Sequence, residues 1–314
     1  RGCCALAGSQ WVALLVPFRP QREQDRAAQL TRFLRHIAAF VCRPPAAEAV
    51  DPHVRFLVLV AQQSEDGRKF NRGQLLNAAY REARRIAGDR LVSVVFHDVD
   101  LLPPPGLRSW YASAPDRHAP IHLAGRGWGK YDMPGYDFFG GVTAFHPDDF
   151  EACNGFPNNY WGWGMEDDQL RLRASASGAS SRGIVRPPAS AGKYIDLDKI
   201  AVLRDVLSST EKAMAGLHLI NDRFLQPNRL LGLDDAWDRK NGMRDLHAKV
   251  LQQSISPLAS MMDGEICLPK FEEAATSAFY IAEALASIRR SSKFGSRQED
   301  IERDMYVHLV IELS

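Results

Sequence analysis

Apolar residues recur at two different spacings through the first hundred positions. The run "WVALLVPF", Trp11 to Phe18, is continuous and short and is bounded by Pro17 and the polar "RPQREQ", so it reads as a buried strand. Between Gln24 and Cys42 the spacing changes. Leu30, Phe33, Leu34, Ile37 and Phe40 or Val41 return at steps of three and four, which predicts a helix with one apolar face. The prolines of "RPPAAEAVDP" mark a loop. A strand over Val54 to Val60, a helix from Arg72 to Ile86 and a strand over Leu91 to Phe96 follow, and the last runs into "HDVD". Strand and helix in strict alternation predict an α/β fold with a mostly parallel sheet.

In such sheets the ligand crevice lies outside the carboxyl ends of the strands. Polar signatures fall at all three ends: "PFR", "FNR" and "DVD". The stretch from Gly125 to Gly164 is rich in glycine and aromatics and reads as loops around a strand at Phe138 to Phe145. "EDDQLRLRA", from Glu166, has acids in its first turn and reads as a helix start. Beyond Ser254 the pattern turns helical, above all over Lys270 to Arg290. The expected organisation is a tail at residues 1–10, a main domain at 11–253 and a helical C-terminal extension at 254–314.

Composition narrows the partners. With 39 Lys and Arg against 38 Asp and Glu in 314 residues, the chain lacks the broad positive field of a nucleic-acid binder. The five cysteines are odd in number and lack C-x-x-C pairs, which argues for reduced thiols over a disulfide framework or a zinc ribbon. "WVALLVPF" and "VRFLVLV" fall far short of the roughly 20 apolar residues that span a bilayer. A cytoplasmic protein, free or peripheral to a membrane, is the expectation. The Golgi lumen is the alternative if an anchor precedes Arg1.

The carboxylates carry the candidate chemistry. Asp98 and Asp100 stand two apart at a strand end, a spacing that aims two side chains the same way and suits magnesium or manganese. Acids after a strand are also common turn formers, and the pattern alone supports both. In "NNYWGWGMEDDQ", Trp161, Trp163 and Gly164 precede Glu166, Asp167 and Asp168. An aromatic wall with close backbone approach beside carboxylates suits a sugar, and successive helical positions about 100° apart let the acids serve different hydroxyls. An acidic helix start behind buried tryptophans is the structural alternative. A helix N-terminus would also lower the acids' pKa and keep a base ionised. Phe70 offers a stacking surface; Arg19, Arg22 and Arg72 offer phosphate or base contacts. His97, His118, His122 and His146 lack metal-ligand spacing and read as structural or surface groups.

Taken in order, "VALLVPFRPQREQ", "FNRGQLLNAAYREA", "VVFHDVDLLP", "FFGGVTAFHPDDFEACNGFPNNYWGWGMEDDQLRLRA" and "NGMRDLHAKVL" resemble the β-1,4-galactosyltransferase family over roughly Trp11 to Leu251. That family consists of inverting, metal-dependent enzymes with the GT-A (Rossmann-like) nucleotide-sugar fold. The resemblance implies that Pro17, Phe18, Arg19, Phe70 and Arg72 hold the uridine diphosphate, with Asp98 and Val99 near the nucleoside. It places Asp100 on the metal. Phe138, Trp163, Gly164 and Glu166 would line the sugar site, Asp167 would be the catalytic base, and Asp168, Trp163 and Tyr136 would meet the acceptor. The family completes its metal site downstream with methionine and histidine or with His-x-His. Here "GKYIDLDKI" has no histidine, so Asp196, Asp198 or both are expected to take those places around Mn2+ or Mg2+; from spacing alone "DLDK" reads equally as the cap of a helix beginning near Lys199.

The implied activity is transfer of galactose from UDP-galactose to a hydroxyl of a glycan or glycoconjugate acceptor, free or membrane-associated, in a β-1,4-type linkage. UDP-N-acetylgalactosamine is the alternative donor and turns on Phe138. A catalytically silent sugar- or nucleotide-binding protein is the alternative of another class: the altered downstream ligands favour it, and the retained acids oppose it.

Overall fold

The computed structural model describes residues 9–21, 25–42, 53–124, 138–162, 164–197, 240–262 and 304–314. The first strand, β1 (Gln10–Phe18), shows why its sequence is apolar throughout. Ala13 and Leu15 pack into one buried cluster while Val12, Leu14 and Val16 pack into another on the opposite face. A strand covered by helices on both faces has no polar side to alternate with. Helix α1 (Arg26–Cys42) supplies one cover through Leu30, Phe33, Leu34 and Ile37. Helix α2 (Arg72–Ala87) supplies the other through Leu75, Leu76, Ala79 and Ala83.

Strands β2 (Val54–Gln63) and β3 (Leu91–His97) run parallel to β1 on either side, as the alternating pattern predicts. Two segments around "DVD" and "DLD" form a separate small ladder, β4 (Leu101–Leu102) against β7 (Ile195–Asp196). Among the described residues the main sheet has the order β5-β6-β3-β1-β2-β9-β8, where β5 is Ile121–His122, β6 is Val142–Phe145, β8 is Ala248–Pro257 and β9 is Asp304–Leu313. Strand β6 is shorter than the expected Phe138 to Phe145, because the Gly140–Gly141 pair gives up strand geometry before it. Helices α3 (Arg108–Ala112), α4 (Pro147–Ala152) and α5 (Glu166–Ala176) complete the described set; α5 starts at the expected residue.

The expected helical extension at 254–314 does not hold at its described ends. Strand β8 runs through residue 254, and β9 lies inside the sheet, parallel to β2 in the register Phe56↔Asp304 to Gln63↔Ile311. Met305, Val307, Leu309 and Ile311 join the α2-side cluster. The charged "RQEDIERD" in front of this strand masks the β-branched, alternating character of "MYVHLVIEL". The chain's end is therefore part of the main domain's core, while the helix expected over Lys270 to Arg290 lies outside the described residues.

Candidate active site

The carboxyl ends of β1, β2 and β3 meet the start of α2, and a network of amides fixes that corner. Gln63, the last residue of β2, accepts from the Asn71 backbone N–H at 2.9 Å and donates to the Lys69 carbonyl at 3.1 Å. Asn71 caps α2 by accepting from the Gln74 N–H at 2.9 Å, one of the helix donors left without an intrahelical partner. The next residue is Arg72, whose position is therefore set by the cap. Its Nε donates to Asp98 Oδ1 at 2.8 Å and its Nη1 to Glu166 Oε1 at 3.3 Å. One guanidinium thus joins "FNR", "DVD" and "EDD". Arg19, beside it, donates to the Arg68 carbonyl at 2.6 Å and lies over the Phe70 ring, 5.6 Å from its centroid.

The tryptophan-rich loop is bound to the same helix. Asn77 donates to the Phe156 carbonyl at 2.8 Å and to Asn158 Oδ1 at 2.9 Å, and accepts from the Phe156 N–H at 2.9 Å. Asn71 Nδ2 donates to the Asn158 carbonyl at 2.6 Å. Such close approach needs Gly73, where a Cβ would lie 2.9 Å from the Pro157 oxygen. Beyond it the Gly162 N–H donates to the Phe70 carbonyl at 2.7 Å, and Arg68 lies over the Trp161 ring at 4.3 Å. Phe70 and Trp161 both pack against the α2-side core.

At the start of α5 the acids fan out as the helical spacing requires. Glu166 and Asp168 turn inward and are buried, whereas Asp167 is less completely buried. Asp167 stands over Gly140: a Cβ there would overlap Asp167 Oδ2 and lie 2.7 Å from the Phe138 ring. Phe138 in turn packs edge-on to His122, centroids 5.5 Å apart, and His122 Nε2 donates to the Gly140 carbonyl at 2.9 Å. The glycine pair therefore makes room for a carboxylate and an aromatic face side by side. The expectation that the helix end lowers these pKa values is overturned. Loss of hydration holds Asp167 well above the usual carboxylate range, and Glu166 and Asp168 add to it against the pull of Arg72. Burial likewise raises Glu166.

Around "DVD" the two carboxylates do not point together as strand spacing suggests. Strand β3 ends at His97, and Asp98 to Asp100 form a turn closed by the Leu101 N–H on the Asp98 carbonyl. Asp98 consequently meets Arg72 of α2, while Asp100 Oδ2 lies 3.3 Å from Arg26 Nη1 of α1. Asp196 comes to the Asp100 side through the small ladder: it pairs with Leu101, and the Leu197 N–H donates to the Asp100 carbonyl at 2.8 Å. Both carboxylates are buried. The two lie on adjoining segments and offer only oxygen, a donor set that fits manganese or magnesium better than zinc. Among the described residues no group of three or more His, Cys, Asp or Glu side chains assembles for a metal, and Asp198 lies outside them.

The structure thus joins Arg19 to Phe70 and Arg72 to Asp98 and Glu166 at one corner of the sheet, with Asp167 next in the chain and beside the Phe138 ring over Gly140. Phe18 is a correction: the residue is 1% exposed in the α1-side core and Pro17 before it is buried as well, so neither presents a face to a ligand. Val99 is buried in the same cluster. Tyr136 and Trp163 lie outside the described residues. Sequence reasoning missed Gly140, Asn71, Asn77 and Arg26. The "GG" pair and the asparagines inside "FNRGQLLNAAY" are visible in the sequence, yet Asp167 against Gly140 and Phe156 and Asn158 against the asparagines are 27 to 87 residues away, beyond any local spacing rule.

Two family models match the chain. One describes the N-terminal region of glycosyl transferase group 7, over residues 3–112, and the other the N-terminal domain of galactosyltransferase, over residues 122–199. Human β-1,4-galactosyltransferase 4 is 37% identical over 185 residues, 59% of this chain and 47% of that protein. Rat β-1,4-galactosyltransferase 3 is 32% identical over 254 residues, 81% of this chain and 55% of that protein. The chain therefore spans about half the length of the curated relatives it matches. A Drosophila β-1,4-galactosyltransferase 7, crystallised with manganese, UDP-Gal and xylobiose, superposes with a TM-score of 0.57 at 22% identity, covering 97% of this chain and 94% of that one, which establishes a shared fold. Fold, motif order and sequence identity agree that this chain belongs to the β-1,4-galactosyltransferase-like group 7 glycosyltransferases and has their GT-A fold.

Proposed function

We propose that the protein is an inverting galactosyltransferase that moves galactose from UDP-galactose to a hydroxyl of an acceptor sugar. The observation that carries this reading is Asp167: a largely buried carboxylate with a raised pKa, held over Gly140 beside the Phe138 ring. A base in that condition is better matched to a hydroxyl proton than an ordinary carboxylate. The acceptor O–H gives its proton to Asp167 as its oxygen bonds the anomeric carbon, and the bond from that carbon to the diphosphate oxygen breaks, leaving its electron pair on UDP. Arg72 and Arg19 orient the nucleotide from the α2 corner, and Phe70 offers it an apolar face. Asp168 and the tryptophan loop select the acceptor. Asp100, Asp196 and Asp198 would hold a divalent cation. When bound, that cation neutralises charge on the departing diphosphate.

Released UDP, measured with manganese over a panel of acceptor sugars, tests the reading. Asp167→Asn keeps the shape but accepts no proton, so turnover is expected to fall by about 10²–10⁴-fold while UDP-sugar binding persists. A variant that keeps most of the wild-type rate refutes the base assignment, and absence of transfer with every acceptor points to the binding-protein alternative.

A further inference from the structure

Behind the "DVD" turn, His97, Tyr111 and Tyr194 form a chain of hydrogen bonds that the reaction above does not use. His97 Nδ1 lies 2.8 Å from the Asp98 carbonyl, His97 Nε2 lies 2.7 Å from the Tyr111 hydroxyl, and the Tyr111 and Tyr194 hydroxyls are 2.8 Å apart. All three residues are buried, with Phe33 and Phe40 of α1 against the His97 and Tyr111 rings. Burial pushes His97 down to about 4, so its ring is neutral near pH 7.

The direction of the chain follows from the chemistry of its ends. A carbonyl only accepts, so His97 Nδ1–H donates to Asp98. The other ring nitrogen then accepts from the Tyr111 hydroxyl, and with that proton committed, Tyr111 accepts from Tyr194. Each donor is polarised by the next, which favours one fixed arrangement. Its two ends are the informative feature. One grips the peptide of Asp98, two residues before Asp100; the other is Tyr194, two residues before Asp196. The same two segments are joined on their far side by the β4–β7 ladder.

We propose that the His97–Tyr111–Tyr194 relay is a positioning device that holds the Asp100 and Asp196 segments at the spacing a divalent cation requires. This rests on the cation reading given above. The relay residues touch no ligand; they act through the two aspartates, and outer partners of this kind typically change metal affinity by about 10–100-fold when removed.

The test is titration of the whole protein with Mn2+ in the presence of UDP, following free Mn2+ by its electron paramagnetic resonance signal. Tyr111→Phe keeps the ring and breaks two links, and its Mn2+ Kd is expected to rise about tenfold. Tyr194→Phe removes the link to Tyr111 and leaves Tyr111–His97 in place, so it is expected to give a smaller rise; it also carries the test if Tyr111→Phe fails to fold. UDP binding without metal should stay at the wild-type value, and saturating Mn2+ should restore turnover, which a merely structural defect would not allow. An unchanged Mn2+ Kd in a folded variant, or a loss of turnover that saturating Mn2+ leaves in place, overturns the proposal. Asp196→Ala separates the two readings. If it weakens Mn2+ binding and the tyrosine variants do not, the relay is wrong and the cation site stands. If the tyrosine variants weaken binding and Asp196→Ala does not, Asp196 is no ligand and the proposal that the relay sets its spacing from Asp100 is overturned.

Discussion

The two acidic motifs of this chain look alike in sequence and are treated oppositely by the fold. In "DVD" each aspartate meets its own guanidinium, Asp98 at Arg72 and Asp100 at Arg26, because the turn after β3 sends one to the α2 side and the other to the α1 side. In "EDD" the buried Glu166 takes the longer contact of the same Arg72, whose shorter one goes to Asp98, and Asp167 follows it on the first turn of α5. Burial raises the pKa of both Glu166 and Asp167, and neighbouring carboxylates add to it against the pull of Arg72. A carboxylate dehydrated in this way suits proton transfer. Chemistry is set here by how far the fold takes each acid out of water and which charges it places beside it.

Arg72 is where the two regions meet, and its removal should break both at once. Arg72→Met leaves Asp98 and Glu166 facing an apolar side chain; loss of one partner from a shielded ion pair costs about 3–5 kcal/mol. Urea unfolding should report that loss together with weakened UDP binding. A variant as stable as wild type would mean that the two motifs are positioned independently.

A change confined to the "EDD" region comes next. In Gly140→Ala the new methyl group must displace the ends of Asp167 and Phe138, both side chains, so the backbone need not move. A misplaced base by about 1 Å costs on the order of 10²-fold in rate. That loss should appear in kcat with little change in melting temperature. An unaltered rate would show that Asp167 works from another position.

Phe138→Leu is expected to act more gently, on the sugar face of the same pocket. By the family resemblance Phe138 is expected to line the donor's sugar site, and a smaller side chain should then improve use of UDP-N-acetylgalactosamine by about tenfold, the scale of a modest change in apolar contact. If wild type already prefers the N-acetylated donor, that alternative donor replaces UDP-galactose. The smallest effect concerns Met165, which enters α5 at φ 73°, a left-handed conformation that costs a side-chain-bearing residue about 1 kcal/mol. Met165→Gly should raise stability by about that much or less, since glycine's own chain entropy offsets part of the gain. A loss of stability would show that the Met165 side chain holds the acids in place.

Much of this was legible in the chain. The apolar runs at Trp11 to Phe18 and Val54 to Val60 and the helical spacing from Leu30 to Val41 were visible because burial on both faces removes polar residues from strands and leaves them on one side of helices. The order of motifs also carried the family. What stayed hidden was long-range. Strand β9 pairs with β2 some 250 residues away, and its charged approach disguised it. The pKa of Asp167 was misjudged because helix-end position is local information, whereas burial and the neighbouring charges depend on β3, α2 and the loop carrying Gly140.

The central claim is that Asp167 is a base made effective by burial and by its acidic neighbours, and the pH dependence of kcat/KM tests it most directly. Only the ionised carboxylate takes a proton, so the rate should rise with pH through a pKa above the usual carboxylate range of about 4 and then level off. Stability moves the other way. A carboxyl whose folded pKa is raised contributes stability below its unfolded pKa and loses it as pH rises through the folded value. Asp167→Asn should therefore melt higher than wild type at neutral pH, with the gain disappearing in acid, while its kcat/KM loses that rise with pH. An acid limb at an ordinary carboxylate pKa, retained in Asp167→Asn, would contradict the assignment of both the base and the burial that tunes it.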